Sequence, residues 1–112
     1  MAVEDTDVVD FITDERATGA LVLTIVDSLS WEPLDEQVHL ELLQAKLNAY
    51  LRFLESGEVL RHCPDACSKE LVIEVTFMNH PSPRGLKILA SARAIIEEAG
   101  FSLRLRSPNR VW

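Results

Sequence analysis

Residues 39–50 read HLELLQAKLNAY. At about 100° per residue, a helix carries Leu43, Leu47, Tyr50 and Leu54 down one side. The same winding brings His39 and Lys46 round to that side, where a helix normally keeps only apolar groups. The stretch decides the fold because of what flanks it. ALVLTIVD (20–27) before it and ELVIEVTF (70–77) after it are β-branched runs that alternate between two faces. A one-sided helix between two such strands has to lie on a sheet.

Working outward, VVDFIT (8–13) reads as a first strand and DERATG (14–19) as the turn that joins it to the strand at 20–27 in a hairpin. The helix is expected from about Leu34 to Ser56, with Gly57 suited to the position just past its end. Residues 58–69, EVLRHCPDACSK, form the longest irregular stretch. A second helix is expected over about 84–99, with Ser82 as its N-cap and Pro83 in its first turn. Its predicted apolar stripe is Ile88, Ala92, Ile95 and Ala99, flanked by Leu89 and Ile96. FSLRLR (101–106) alternates as a half-buried strand does.

The element order is therefore ββαβαβ. The expected architecture is α+β, a two-layer sandwich of one four-stranded mixed sheet with both helices on one face, and the last β–α–β a right-handed parallel crossover. The other sheet face would carry Val22, Thr24, Val26, Val72, Glu74 and Thr76. Left open, that half-apolar face is a candidate dimer surface.

The chain has 112 residues, 47% hydrophobic and 26% charged, the composition of a single ordinary domain spanning 1–112. Residues 1–6 and 107–112 are expected to be flexible or extended ends. No apolar run approaches the ~20 residues of a membrane span. The acidic start MAVEDTDVVD has no basic leader region, so the reading is a cytoplasmic bacterial protein that binds no membrane. A net charge of −7 repels a phosphate backbone and argues against nucleic-acid partners. The charge is uneven: Glu4, Asp5, Asp7, Asp10, Asp14 and Glu15 crowd the start, while Arg104, Arg106 and Arg110 follow the last acid, Glu98. Either these are solvated faces, or the two ends meet.

VDFI (9–12), LVLTIVDSLSW (21–31) and HLELLQAKLNAYLRFLESGE (39–58) together resemble a family of small uncharacterised bacterial proteins, a domain of unknown function. The likeness covers roughly 8–58 and is strongest at Asp27, Trp31, His39, Gln44, Lys46, Asn48, Tyr50 and the Glu55–Glu58 run. It supports the order of elements and implies no activity, cofactor or site residue.

Phosphate loops, dinucleotide glycine fingerprints, GxSxG and HExxH are all absent. Three weaker constellations remain. Asp27 ends its strand on the core side, near the loop that holds Trp31, and His39, Lys46 and Tyr50 face the same gap. A polar pocket would have Asp27 orienting His39 while Lys46 binds an anion or polarises a carbonyl. The plainer reading caps the SLSW turn with Asp27, ties His39 to a loop carbonyl, and runs the Lys46 stem along the core to water. His62, Cys63 and Cys67 supply metal-type ligands, but a usual zinc site has four, and His80 completes the set only if its loop folds nearby. Their plainer role is as ordinary loop residues. The adjacent Glu97 and Glu98 point about 100° apart and make no acid–base pair. The expectation is a non-enzymatic module with no cofactor and a protein partner or a second copy as its target. The alternative is a ligand-binding protein or enzyme built on Asp27, His39, Lys46 and Tyr50.

Overall fold

The structure, a computed structural model, describes residues 11–107 and 110–111. β1 (Phe11–Glu15) and β2 (Ala20–Asp27) form the hairpin, with Phe11 opposite Thr24 and Glu15 opposite Ala20. β1 keeps pairing through Asp14 and Glu15, so the turn is shorter than DERATG suggests. The predicted start of this strand at 8–10 lies outside the described residues.

α1 (Glu36–Glu55) follows, and Gly57 takes the left-handed φ of 79° just beyond its end. α2 (Val59–His62) and a 3-10 turn (Pro64–Ser68) fill the irregular stretch, which is tighter than its sequence suggests and is pinned by buried Val59 and Ala66. β3 (Glu70–Phe77) pairs parallel to β2, and β4 (Ser102–Ser107) pairs parallel to β3 across α3 (Pro83–Glu98). The sheet runs β1-β2-β3-β4 in chain order. The expected ββαβαβ order and mixed four-stranded sheet are therefore present. A two-residue β5 (Arg110–Val111) adds an antiparallel step beyond β4, using part of the tail. None of the described helices is long and apolar enough to cross a membrane.

One core holds the layers together. Leu21, Leu23 and Ile25 of β2 and Ile73, Val75 and Phe77 of β3 meet Leu43, Leu47 and Tyr50 of α1 and Leu89 and Ile96 of α3. All six strand residues lie on one face of the sheet, so both long helices pack on that face. Leu23, Ile25, Ile73 and Val75 are wholly buried, each worth about 1.5–3 kcal/mol relative to exposure.

α3 departs from its expected orientation. The residues it buries are Gly85, Leu89 and Ile96, while Ile95 is 60% exposed, Ala99 is exposed and Ile88 is half-buried. The helix is turned by about one residue from the predicted stripe. Gly85 is the cause. A Cβ there would lie 2.7 Å from Cζ3 of Trp31, so the helix start sits on the indole as only glycine can. A glycine adds nothing to a hydrophobicity count, so the pattern is blind to it.

The opposite sheet face is not a plain apolar surface. Val22 and Val72 are buried there with Ala20. Arg104 on β4 donates to Glu15 on β1 at 2.9 and 3.3 Å and to Glu74 on β3 at 2.6 Å, and Arg106 also reaches Glu74 at 3.3 Å. β1 and β4 stand three strand spacings apart, about 14 Å. The Arg104–Glu15 pair therefore spans the sheet. Of the acidic start and basic end noted in the sequence, Glu15 and Arg104 do meet. Asp14 likewise meets Lys69 at 2.7 Å. Glu4, Asp5, Asp7 and Asp10 lie outside the described residues.

Candidate functional site

Three of the candidate residues, Asp27, Trp31 and His39, gather where β2 ends and the chain turns into α1. Asp27 is the last residue of β2 and points into the core. Its Oδ1 accepts from the backbone N–H of Leu29 at 3.0 Å, the short turn an aspartate forms two residues ahead of itself. Its Oδ2 lies 2.6 Å from Nε2 of His39, in the first turn of α1. The other ring nitrogen, Nδ1, is 2.9 Å from the carbonyl oxygen of Ser30. A carbonyl only accepts, so Nδ1 carries a proton and donates it. One more proton is shared in the short Nε2–Oδ2 contact. Asp27 and His39 thus form a pair with no net charge, which is how two ionisable side chains that are 1% exposed are accommodated.

Burial opposes the imidazolium. The Asp27 hydrogen bond and charge, the Ser30 carbonyl and the charge of Asp35 outweigh it, and the pKa of His39 is raised above the ordinary 6.5.

Trp31 covers this pair. Its ring centroid lies 3.7 Å from that of His39 at 32°, and it also borders Phe77 at 6.2 Å. Such stacking favours the cationic imidazole. Among the described residues the indole Nε1 has no hydrogen-bond partner. The Cζ3–Cη2 edge of the indole meets the start of α3, where Ser82 Oγ accepts from Gly85 N–H at 3.1 Å. The loop is tied from across the sheet end too: Asn79 Nδ2 donates to the carbonyls of Ser28 and Leu29 at 3.3 and 3.1 Å.

Lys46 and Tyr50 form a second group further along α1. Both are wholly buried. Tyr50 donates its hydroxyl to the Thr24 carbonyl at 3.0 Å, and Lys46 Nζ lies 5.5 Å from the centre of the Tyr50 ring. The Lys46 side chain does not run out to water as the plainer sequence reading has it. So the five candidates divide: Asp27, His39 and Trp31 in one cluster, Lys46 and Tyr50 in another. Sequence spacing does not single out Ser30, Asn79 or Gly85. Ser30 acts through its backbone, and Asn79 and Gly85 act across the fold, so no local pattern marks them.

A groove of about 390 Å³ opens beside the cluster, lined by Leu29, Ser30, Asp35, Val38, His39 and Leu42. Leu34 and Val38 nearby are 96% and 59% exposed. Both oxygens of Asp27 and both ring nitrogens of His39 are already engaged within the protein, and both side chains are buried. At the weaker candidate, His62 ends α2 against the ring of Phe53, with Cys63 half-buried beside it. The Cys67 side chain lies outside the described residues. No three His, Cys, Asp or Glu side chains among the described residues gather as a metal site.

No curated protein and no solved structure matches the chain. A family model does, over residues 1–109, wider than the 8–58 that carry the sequence resemblance. It takes in both candidate clusters and every strand up to β4, and the chain belongs to that family, a family of unknown function (DUF6572).

Proposed function

We propose that the chain is a small non-catalytic module that works by contact with protein, self-association being the form its own surface supports best. One observation carries this. The pair that looked most like acid–base machinery has both carboxylate oxygens and both ring nitrogens engaged from within, by Leu29 N–H, the Ser30 carbonyl and each other. A general base must reach the proton it removes, and His39 is sealed at 1% exposure. The pair instead holds the 28–31 loop in place. The bacterial, cytoplasmic setting belongs to the same proposal, supported by the acidic balance of −7 and the family resemblance.

A second reading is a small-ligand binder, and the groove at Leu29, Val38 and Leu42 beside His39 favours it. Native mass spectrometry of the full chain separates the two. The module reading expects the bare chain and whole multiples of it. A small molecule that copurifies, and is lost in a folded Val38→Arg variant, would overturn it in favour of the binder.

A further inference from the structure

A groove of about 490 Å³ runs between α1 and α3, with Leu47 and Leu51 on one wall and Ile88, Ala92 and Ile95 on the other. It exists because α3 is turned onto Gly85, which swings Ile88 and Ile95 away from the sheet. Ile95 is left 60% exposed on its lip. Beside the lip, Lys87, Ser91, Ala94 and Glu98 are all exposed. Their 4-3-4 spacing puts them in one line along the helix. Neither Lys87 nor Glu98 has an ion-pair partner among the described residues.

We infer that this face is a two-fold contact: a second copy lays its own α3 antiparallel against this one and closes the groove. This rests on the reading of the chain as a module that works by protein contact and names its partner.

Charge complementarity selects that occupant and that direction. The basic residue stands at one end of the line and the acidic residue at the other. Antiparallel pairing sets Lys87 of each copy against Glu98 of the other, whereas parallel pairing sets like against like. In that register Ser91 meets Ala94 across the axis, so the helices approach closely. With a rise of about 1.5 Å per residue, Ile95 of each copy comes within about 3 Å, along the axis, of the level of Ile88 of the other. The exposed isoleucine then covers the partner's groove, and the contact is isologous as a two-fold requires. The location also fits the overall charge. The chain carries −7, yet α3 holds Arg84, Lys87 and Arg93 against Glu97 and Glu98, a balance of three to two in favour of base. Two acidic copies repel each other least where this helix leads.

The test is sedimentation velocity on the full chain from roughly 1 to 200 µM, low salt, with circular dichroism to show that each variant is folded. The wild type is expected to form a concentration-dependent dimer. Lys87→Glu and Glu98→Lys each turn two attractions into two repulsions, and each is expected to weaken the dimer roughly tenfold. The double variant carrying both changes is expected to recover it, and Ile95→Arg to abolish it. A dimer that ignores both reversals overturns the α3 contact while leaving the module reading intact. A chain that stays monomeric at 200 µM overturns the α3 contact as well. If that monomer also carries a copurified small molecule, the module reading falls with it.

Discussion

Replacing Asp27 by asparagine tests the buried pair at its chemistry rather than at its packing. In the wild type, the Asp27 carboxyl accepts from Leu29 N–H with one oxygen and meets Nε2 of His39 with the other. The asparagine would keep the first bond through its carbonyl oxygen and donate its amide N–H to a neutral His39 through Nε2. Nδ1 still donates to Ser30. The number of hydrogen bonds is unchanged and the volume nearly so, so Asp27→Asn is expected to cost about 1 kcal/mol, the scale of one altered hydrogen bond. Asp27→Ala strands the imidazole and the Leu29 N–H together and is expected to cost about 3–5 kcal/mol.

The pH dependence separates the cases more sharply. In the wild type the pKa of His39 is raised above 6.5 by folding. Its contribution is therefore complete below about pH 6.5 and is lost as pH rises through the folded value, with a slope of at most about 1.4 kcal/mol per pH unit for one proton. In Asp27→Asn only the neutral imidazole is satisfied, so the folded value falls below the unfolded one. That contribution is complete above about pH 6.5 and is lost as pH falls. The assay is urea unfolding of both proteins from about pH 5.5 to 9, a window that brackets the imidazole, taking the difference between them at each pH so that other groups cancel. The destabilisation caused by the substitution should shrink steadily as pH rises. A difference that stays flat, or grows with pH, would refute the account of His39 as an imidazolium held by Asp27.

Other consequences follow from the packing. Gly85→Ala places a methyl 2.7 Å from the Trp31 ring. The overpacking penalty of about 1–3 kcal/mol exceeds the helix-propensity gain of at most ~1 kcal/mol, so chemical denaturation should show a net loss. Tyr50→Phe removes the bond to the Thr24 carbonyl and should cost about 1 kcal/mol by the same measurement. Arg104→Met keeps an apolar stem on the sheet face that carries Val22 and Val72, and Arg104→Ala removes it. Alanine should therefore lower the melting temperature more than methionine, and equal losses would show that the charge alone matters. Glu15 has its pKa lowered from 4.5, chiefly by its hydrogen bonds from Arg104 and Thr18. That stabilisation is present above about pH 4.5 and is lost as pH falls, so Arg104→Met should flatten the acid side of the stability profile.

The sheet is legible in the sequence because β2 and β3 are β-branched runs whose odd-numbered residues are apolar from Leu21 to Ile25 and from Leu71 to Phe77, and β4 alternates strictly, which fixes register and side. α1 is legible down to its two odd residues: the winding that buries Leu43 and Leu47 also buries His39 and Lys46. α3 is legible as a helix over nearly the right span, with its cap at Ser82 and Pro83, yet its rotation is not. Ile88 and Ile95 outweigh Leu89 and Gly85 on any hydrophobicity scale. What overrides them is the contact between Gly85 and Trp31, far apart in the chain, which no local window holds. The site shows the same division. That Asp27 and His39 lie close is readable from periodicity. That their remaining atoms bind Leu29 and Ser30 depends on the path of a loop, and the plain and the sharp readings of the sequence both describe part of the result.

These local facts form one causal line through the molecule. Asp27 and the Ser30 carbonyl fix the plane of the His39 ring; that ring and Phe77 seat the Trp31 indole; the indole admits only a glycine at the start of α3. Gly85 then turns α3 so that Leu89 and Ile96 face the sheet and Ile88 and Ile95 face out. The polar pair that first suggests catalysis thus sets which side of a distant helix the protein presents. A histidine sealed in the core can matter to function without meeting any ligand. Disturbing the pair should first be felt in the rotation of α3, as faster amide exchange across residues 83–89, before it is felt in the sheet. If a folded Asp27→Ala variant leaves exchange in that turn unchanged while β2 and β3 loosen, Trp31 is not the link, and α3 takes its rotation from the sheet alone.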